Sequence, residues 1–189
     1  MVQRLRGVAF ALLMGWTFAA SGADFKHENK PQNLKALFEL VHNTVHVKKD
    51  NKQAAALFRS LIPDEARTKK ALKDGIAPDT LRQILEMQKK FGGGVDEGVT
   101  KVARPAQTEV QVHGATTEEI MRYREGSVAY KEFPGGTKRV AEQALRPGMT
   151  FYEVEYLEPG KKAGMKYHLL YWDGKQWSML GPVWRVFKQ

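Results

Sequence analysis

The stretch Thr150-Phe151-Tyr152-Glu153-Val154-Glu155-Tyr156-Leu157 repeats with a period of two. Thr150, Tyr152, Val154 and Tyr156 alternate with Phe151, Glu153, Glu155 and Leu157. Successive side chains of a strand point to opposite faces, so this pattern predicts a strand with its carboxylate pair on one face. Glu158-Pro159-Gly160 then turns the chain into a second predicted strand, Met165–Trp172. Asp173-Gly174 is a hairpin signal, because both residues accept the left-handed backbone of a tight turn, and it leads into Gln176–Leu180. Gly181-Pro182 turns into a last predicted strand, Val183–Phe187. Strands that follow one another through short turns pair as an antiparallel meander.

Just before this meander the pattern is mixed. Val110 and Val112 alternate in a short strand before Gly114. Thr116-Thr117-Glu118-Glu119 has capping-box spacing, with Thr116 as N-cap, and starts a helix to about Tyr123. Ser127–Phe133 reads as a strand ending in the Pro134-Gly135-Gly136 turn, and Thr137–Leu145 as a short helix closed by Arg146-Pro147-Gly148.

Further upstream the period becomes helical. Leu34, Leu37, Phe38, Val41 and Val45 fall on one helical face, and Ala54, Leu57, Phe58 and Leu61 make a second. Pro63-Asp64-Glu65 opens a third, short helix. Pro78-Asp79 opens a fourth, with Leu81, Ile84, Leu85, Gln88 and Phe91 on its face and Gly92 as the left-handed residue expected to end it. Residues 92–107 contain Gly92-Gly93-Gly94 and Ala103-Arg104-Pro105-Ala106 and read as a loop or linker. The fold class expected is α+β. A helical segment of about four helices over residues 24–91 packs with an antiparallel segment over 108–189.

Residues 1–23 read as a signal peptide. Arg4 and Arg6 precede an apolar run from Val8 to Ala20, and Ser21-Gly22-Ala23 offers small residues for a cut after Ala23. The apolar run is shorter than the ~20 residues needed to span hydrocarbon. No later stretch is long and apolar enough to do so, so the expected location is exported, with no transmembrane segment after cleavage.

The chain has no Cys, which excludes disulfide staples, thiolate metal sites and a cysteine nucleophile. Its net charge of +9 falls to about +7 once Arg4 and Arg6 leave with the signal. The remaining basic residues, among them Lys48-Lys49, Lys69-Lys70 and Lys89-Lys90, are interleaved with Asp50, Asp64, Glu65, Asp74 and Asp79. No helix carries a basic stripe studded with aromatics, so the runs read as solvated helix faces and nucleic acid is not expected as a partner. Gly92-Gly93-Gly94 follows a helix instead of a strand and has no Lys-Ser/Thr behind it, so it is no phosphate cradle. No cofactor is expected.

Two groups of residues can carry chemistry. Glu153 and Glu155 share one face of their strand, and the next strand offers Lys166, His168 and Trp172 on one face, with Tyr167 on the alternate one. Carboxylates beside a histidine can do acid–base work, and aromatic walls suit a small ligand. The simpler reading is a sheet with one aromatic face packed on helices and one ordinary charged face in water. His42 and His46 lie four apart on the first helix, one turn after Glu39, where two imidazoles can share a divalent metal. They lack the third and fourth ligands that a closed site needs. His27 stands at position four after the expected cut, one too far for amino-terminal copper binding.

The hairpin Tyr171-Trp172-Asp173-Gly174-Lys175-Gln176-Trp177, with the aromatic meander over residues 149–187, resembles the closing strands of the nuclear-transport-factor-2-like and cystatin-like α+β rolls. The resemblance implies a conical pocket between helix and sheet, in folds that serve enzymes and pure binders alike. The expected function is an exported binding module for a small molecule or an envelope partner, without catalysis. The alternatives are an acid–base enzyme in a sheet-lined pocket and a metal-handling exported protein.

Overall fold

A computed structural model describes residues 28–187. The expected signal peptide and His27 lie outside the described residues. The fold is α+β, with helices leading and a four-stranded antiparallel sheet closing the chain. No helix among the described residues is long and apolar enough to cross a membrane.

The four expected helices are present: α1 (Pro31–His46), α2 (Asn51–Arg59), α3 (Glu65–Ala71) and α4 (Pro78–Gly93). Each start has a local cause. Pro31 and Pro78 open α1 and α4, where proline's missing N–H costs nothing. The Asp50 and Asp64 side chains accept from the Gln53 and Arg67 amides and cap α2 and α3. The apolar face read on α1, from Leu34 to Val45, is buried.

Residues 92–101 depart from the loop reading, and 102–107 keep it. Helix α4 continues through Gly93 instead of ending at a left-handed Gly92, and a helical turn α5 (Val95–Gly98) and a 3-10 turn (Val99–Lys101) follow. The reason is apolar spacing: Val95, Val99 and Val102 recur at helical intervals and are buried in the same cluster as Phe38 and Phe58.

The sheet runs β1 (Glu109–Thr116), β2 (Thr150–Leu157), β3 (Met165–Trp172) and β4 (Trp177–Met179), each antiparallel to the next. Strand β1 runs on through Gly114, where an added Cβ would stand 2.8 Å from the Tyr152 ring, so only glycine admits this close approach. At its end Thr116 and Glu119 form the expected capping box of α6 (Thr117–Arg122).

Two expected strands are helical instead. Ser127–Phe133 contains α7 (Val128–Glu132), because the Ser127 hydroxyl caps the Tyr130 amide at 3.2 Å and the four-residue spacing of Ala129 and Phe133 buries both. It is followed by α8 (Gly136–Gln143). Val183–Phe187 contains a 3-10 turn over Val183–Arg185. The Gly181 amide donates a last rung to the His168 carbonyl, and the left-handed Gly181 then turns the chain off the sheet.

Helices cover both faces of the sheet. On one face Val110, Tyr152, Val154, Tyr156, Leu170 and Trp177 pack with α1 and α2. On the other, Phe151, Leu169 and Tyr171 pack with Ile84 of α4, Ile120 of α6, Ala129 and Phe133 around α7, and Val140 of α8. Burial of each large apolar side chain contributes about 1.5–3 kcal/mol.

Candidate functional site

One irregularity in the sheet arranges the charged residues. Strands β2 and β3 pair Val154 with Tyr167 and Tyr152 with Leu170, so His168 and Leu169 together face Glu153. This is a β-bulge, and Leu169 takes a left-handed backbone with φ of 53°. The extra residue breaks the alternation of β3. Lys166 and His168 keep the face of Glu153 and Glu155, Leu169 and Tyr171 join that side, and Leu170 and Trp172 move to the α1 side. The common face expected for Lys166, His168 and Trp172 is therefore corrected: Trp172 packs edge-on against Trp177 in the opposite cluster.

The bulge also serves Glu153. The freed Leu169 amide donates to Glu153 Oε1 at 3.1 Å, and His168 Nδ1 meets Glu153 Oε2 at 2.5 Å. The Glu153 side chain is fully buried and that of His168 is 22% exposed. Burial pushes the Glu153 carboxyl above its ordinary range, against the opposing pull of His168, the Leu169 amide and Lys166. The imidazole stands edge-on to Trp184 with ring centres 4.9 Å apart, and its Nε2 has no partner among the described residues.

Beside this pair lies a second set. Lys166 Nζ is 3.2 Å from Glu155 and 3.1 Å from Glu132 of α7, and His113 of β1 is 3.7 Å from Glu132. Burial alone would lower the Lys166 ammonium, but the two carboxylates outweigh it and raise its pKa. The other Glu155 oxygen accepts from the Gly164 amide at 2.6 Å. An added Cβ at Gly164 would stand 1.8 Å from the Tyr156 carbonyl, so glycine is required for this contact. Glu132 and His113 escaped the sequence reading. A strand over 127–133 offered no reason to bring Glu132 beneath the sheet, although the Ser127 cap and the Ala129–Phe133 spacing carried the signal for a helix.

Tyr167 points to the other side of the sheet. Its ring packs on Phe38 and Phe58, and its hydroxyl donates to the Val102 carbonyl at 2.7 Å. Burial raises the phenol, so it stays a neutral donor. The space between α1 and the sheet, where the resemblance places a conical pocket, holds Phe38, Tyr156 and Tyr167 in contact.

A cleft opens instead beyond the outer edge of β3. It holds about 820 Å³ and runs between α4 and the chain after β4. Met87 and Phe91 form one wall and Leu180, Pro182 and Val186 the other, and Lys166, Tyr167 and His168 reach it from the strand. Short β4 explains the opening, since it pairs only with Leu170, Tyr171 and Trp172. Phe91 is 43% exposed at this cleft. Gln88 also lines it, with Oε1 accepting from the Thr68 hydroxyl and Nε2 without a partner among the described residues.

His42 and His46 stack with ring centres 4.7 Å apart, and their Nε2 atoms lie 3.3 and 2.9 Å from the carbonyls of Arg104 and Ala103. A carbonyl only accepts, so each Nε2 carries hydrogen in this arrangement and has no lone pair for a metal. The pair clasps the 103–104 segment to α1. Among the described residues no group of three or more His, Asp or Glu side chains gathers as a metal site.

Sequence reasoning also missed a closed network at the Asp173-Gly174 hairpin. Arg67 of α3 donates to Asp173 Oδ2 at 2.5 Å, to the Ser178 hydroxyl at 2.6 Å and to the Trp177 carbonyl at 2.9 Å. Asp173 Oδ1 accepts from the Lys175 and Gln176 amides. Burial would raise the Asp173 carboxyl, but these hydrogen bonds outweigh it and hold the group at about 2.

No family model matches the chain, and no curated protein and no solved structure matches it either.

Proposed function

We propose that this is an exported binding module that takes a small molecule in the cleft between α4 and the outer edge of β3. The observation that carries the reading is the cleft itself. Its volume of about 820 Å³ falls in the 300–1,000 Å³ range typical of ligand sites, whose usual lining is apolar with polar groups set among it. Export rests on the charged, apolar and small-residue pattern of residues 1–23.

The test is a titration with N-phenyl-1-naphthylamine, an uncharged apolar probe that fluoresces on leaving water. Saturable binding is expected in the protein without residues 1–23, and Phe91→Ala, at an exposed site, should weaken it without moving the melting temperature by more than ~2 °C. Absence of saturable binding, or binding indifferent to Phe91→Ala, contradicts the reading.

A second reading, an acid–base enzyme, draws support from the Glu153–His168 hydrogen bond. With Nδ1 held by a buried carboxylate, a neutral imidazole keeps Nε2 as a base on a residue that lines the cleft. No substrate class follows from it. Should turnover be found, Glu153→Gln is expected to depress it by about 10²–10⁴-fold, and unchanged turnover would exclude this dyad.

A further inference from the structure

The cationic groups around the cleft fall into two kinds. Lys166 and His168 are already matched by Glu132, Glu155 and Glu153. Lys90 of α4 and Arg185 of the chain after β4 both line the cleft and are exposed, and neither has an ion-pair or side-chain hydrogen-bond partner among the described residues. A smaller cavity of about 340 Å³ shares Lys90, Phe91 and Tyr167 with the main cleft and adds Lys101, equally unmatched. Glu86, one helical turn before Lys90, is the acid of the main cleft's rim. Two unmatched cations against one acid thus line a slot whose walls include Met87, Phe91, Leu180 and Val186, with a third in the adjoining cavity.

A solvated lysine or arginine on a convex surface needs no such account. At the mouth of an apolar slot the situation differs, because an occupant that displaces water also lowers the local dielectric and strengthens the attraction of each cation for an anion. A cationic occupant would meet repulsion from both. A neutral one would leave the cations partly desolvated without compensation, which costs free energy.

We propose that the occupant is an anionic amphiphile, an apolar chain or ring system bearing one acidic group. Its apolar part lies along Met87, Phe91, Leu180 and Val186, and its acid lies between Lys90 and Arg185. This deepens the cleft reading and rests on it.

The experiment compares dodecanoate, 1-dodecanol and dodecyltrimethylammonium, each below its micellar or solubility limit, by displacement of bound N-phenyl-1-naphthylamine. Dodecanoate is expected to compete at least about tenfold better than dodecanol, and the quaternary amine least well. In the double variant Lys90→Gln, Arg185→Gln, both at exposed positions, dodecanoate should lose about tenfold while dodecanol is unchanged. Raised salt should likewise weaken dodecanoate alone. If the naphthylamine binds but all three ligands compete alike, or the amine wins, or the double variant keeps the preference for the acid, the anionic assignment is wrong and the cleft reading stands. If the naphthylamine does not bind at all, the cleft reading fails first and this inference with it.

Discussion

Two buried acid–base pairs are set along strand β3, one at the hairpin that follows it and one at the bulge in its middle, and they are built on different plans. At the hairpin end, Arg67 and Asp173 form part of a closed network. The guanidinium also reaches Ser178 and the carbonyls of Ser60, Ile62 and Trp177, and both Asp173 oxygens are engaged. At the bulge, Glu153 is fully buried and satisfied by Leu169 and His168, while the histidine keeps one nitrogen unspent beside a cleft. A pair whose every donor and acceptor is used fixes geometry; a pair with a free nitrogen at a solvent-accessible wall can act on something else. The carboxyls are displaced in opposite directions, Asp173 down to about 2 and Glu153 upward, and that opposition makes the contrast measurable.

The largest effect is expected from breaking the closed pair. Arg67→Ala leaves Asp173, whose side chain is 2% exposed, without its cation. The cost should be about 3–5 kcal/mol in urea unfolding, as for a buried charge stripped of its partner. His168→Ala should cost less, about 1–2 kcal/mol, because Glu153 is already disposed to take up a proton and keeps the Leu169 amide. Equal costs would erase the distinction.

Next in size is the acid limb of stability. Asp173 binds its proton less readily folded than unfolded, so its contribution is fully present above its ordinary value of 3.8 and is lost as pH falls toward about 2. The loss should amount to roughly 2 kcal/mol. Asp173→Asn should lower stability at pH 7 by a similar amount and remove that part of the acid limb. An Asn variant with wild-type acid dependence would contradict it.

The smallest effect, with the opposite sign, belongs to Glu153. Its carboxyl holds the proton more tightly folded than unfolded, so its contribution is greatest below its ordinary 4.5 and declines as pH rises above that value. Glu153→Gln should stay within about 1 kcal/mol of wild type near neutrality. It should gain on wild type as pH is raised from acid; a variant that instead loses ground would place the Glu153 shift in the wrong direction.

Much of the architecture was legible where periodicity is strong. The stripe from Leu34 to Val45, the capping box at Thr116 and Glu119, and the strands over 150–157 and 165–172 follow from spacing and turn chemistry alone. Legibility failed where the period gives out. The run Leu169-Leu170-Tyr171-Trp172 is apolar throughout, so alternation cannot locate the inserted residue, and the bulge reversed the face of Trp172. The candidate site was legible in part. Glu153, Glu155, Lys166 and His168 were singled out and converge on one face. Glu132 comes from a helix read as a strand, and the cleft walls come from segments nearly a hundred residues apart that no local pattern links.

The central claim, that the open side of β3 is where this protein meets its ligand, is tested most directly by titrating dodecanoate into ¹⁵N-labelled protein and following the amide resonances. Shifts confined to Met87–Phe91, Tyr167–His168 and Gly181–Val186, with the Tyr156 and Trp177 amides unmoved, are the expected result. Shifts centred instead on a separate cleft of about 790 Å³ lined by Leu72, Ile76, Leu81 and Leu85, or spread evenly over the fold, would contradict it.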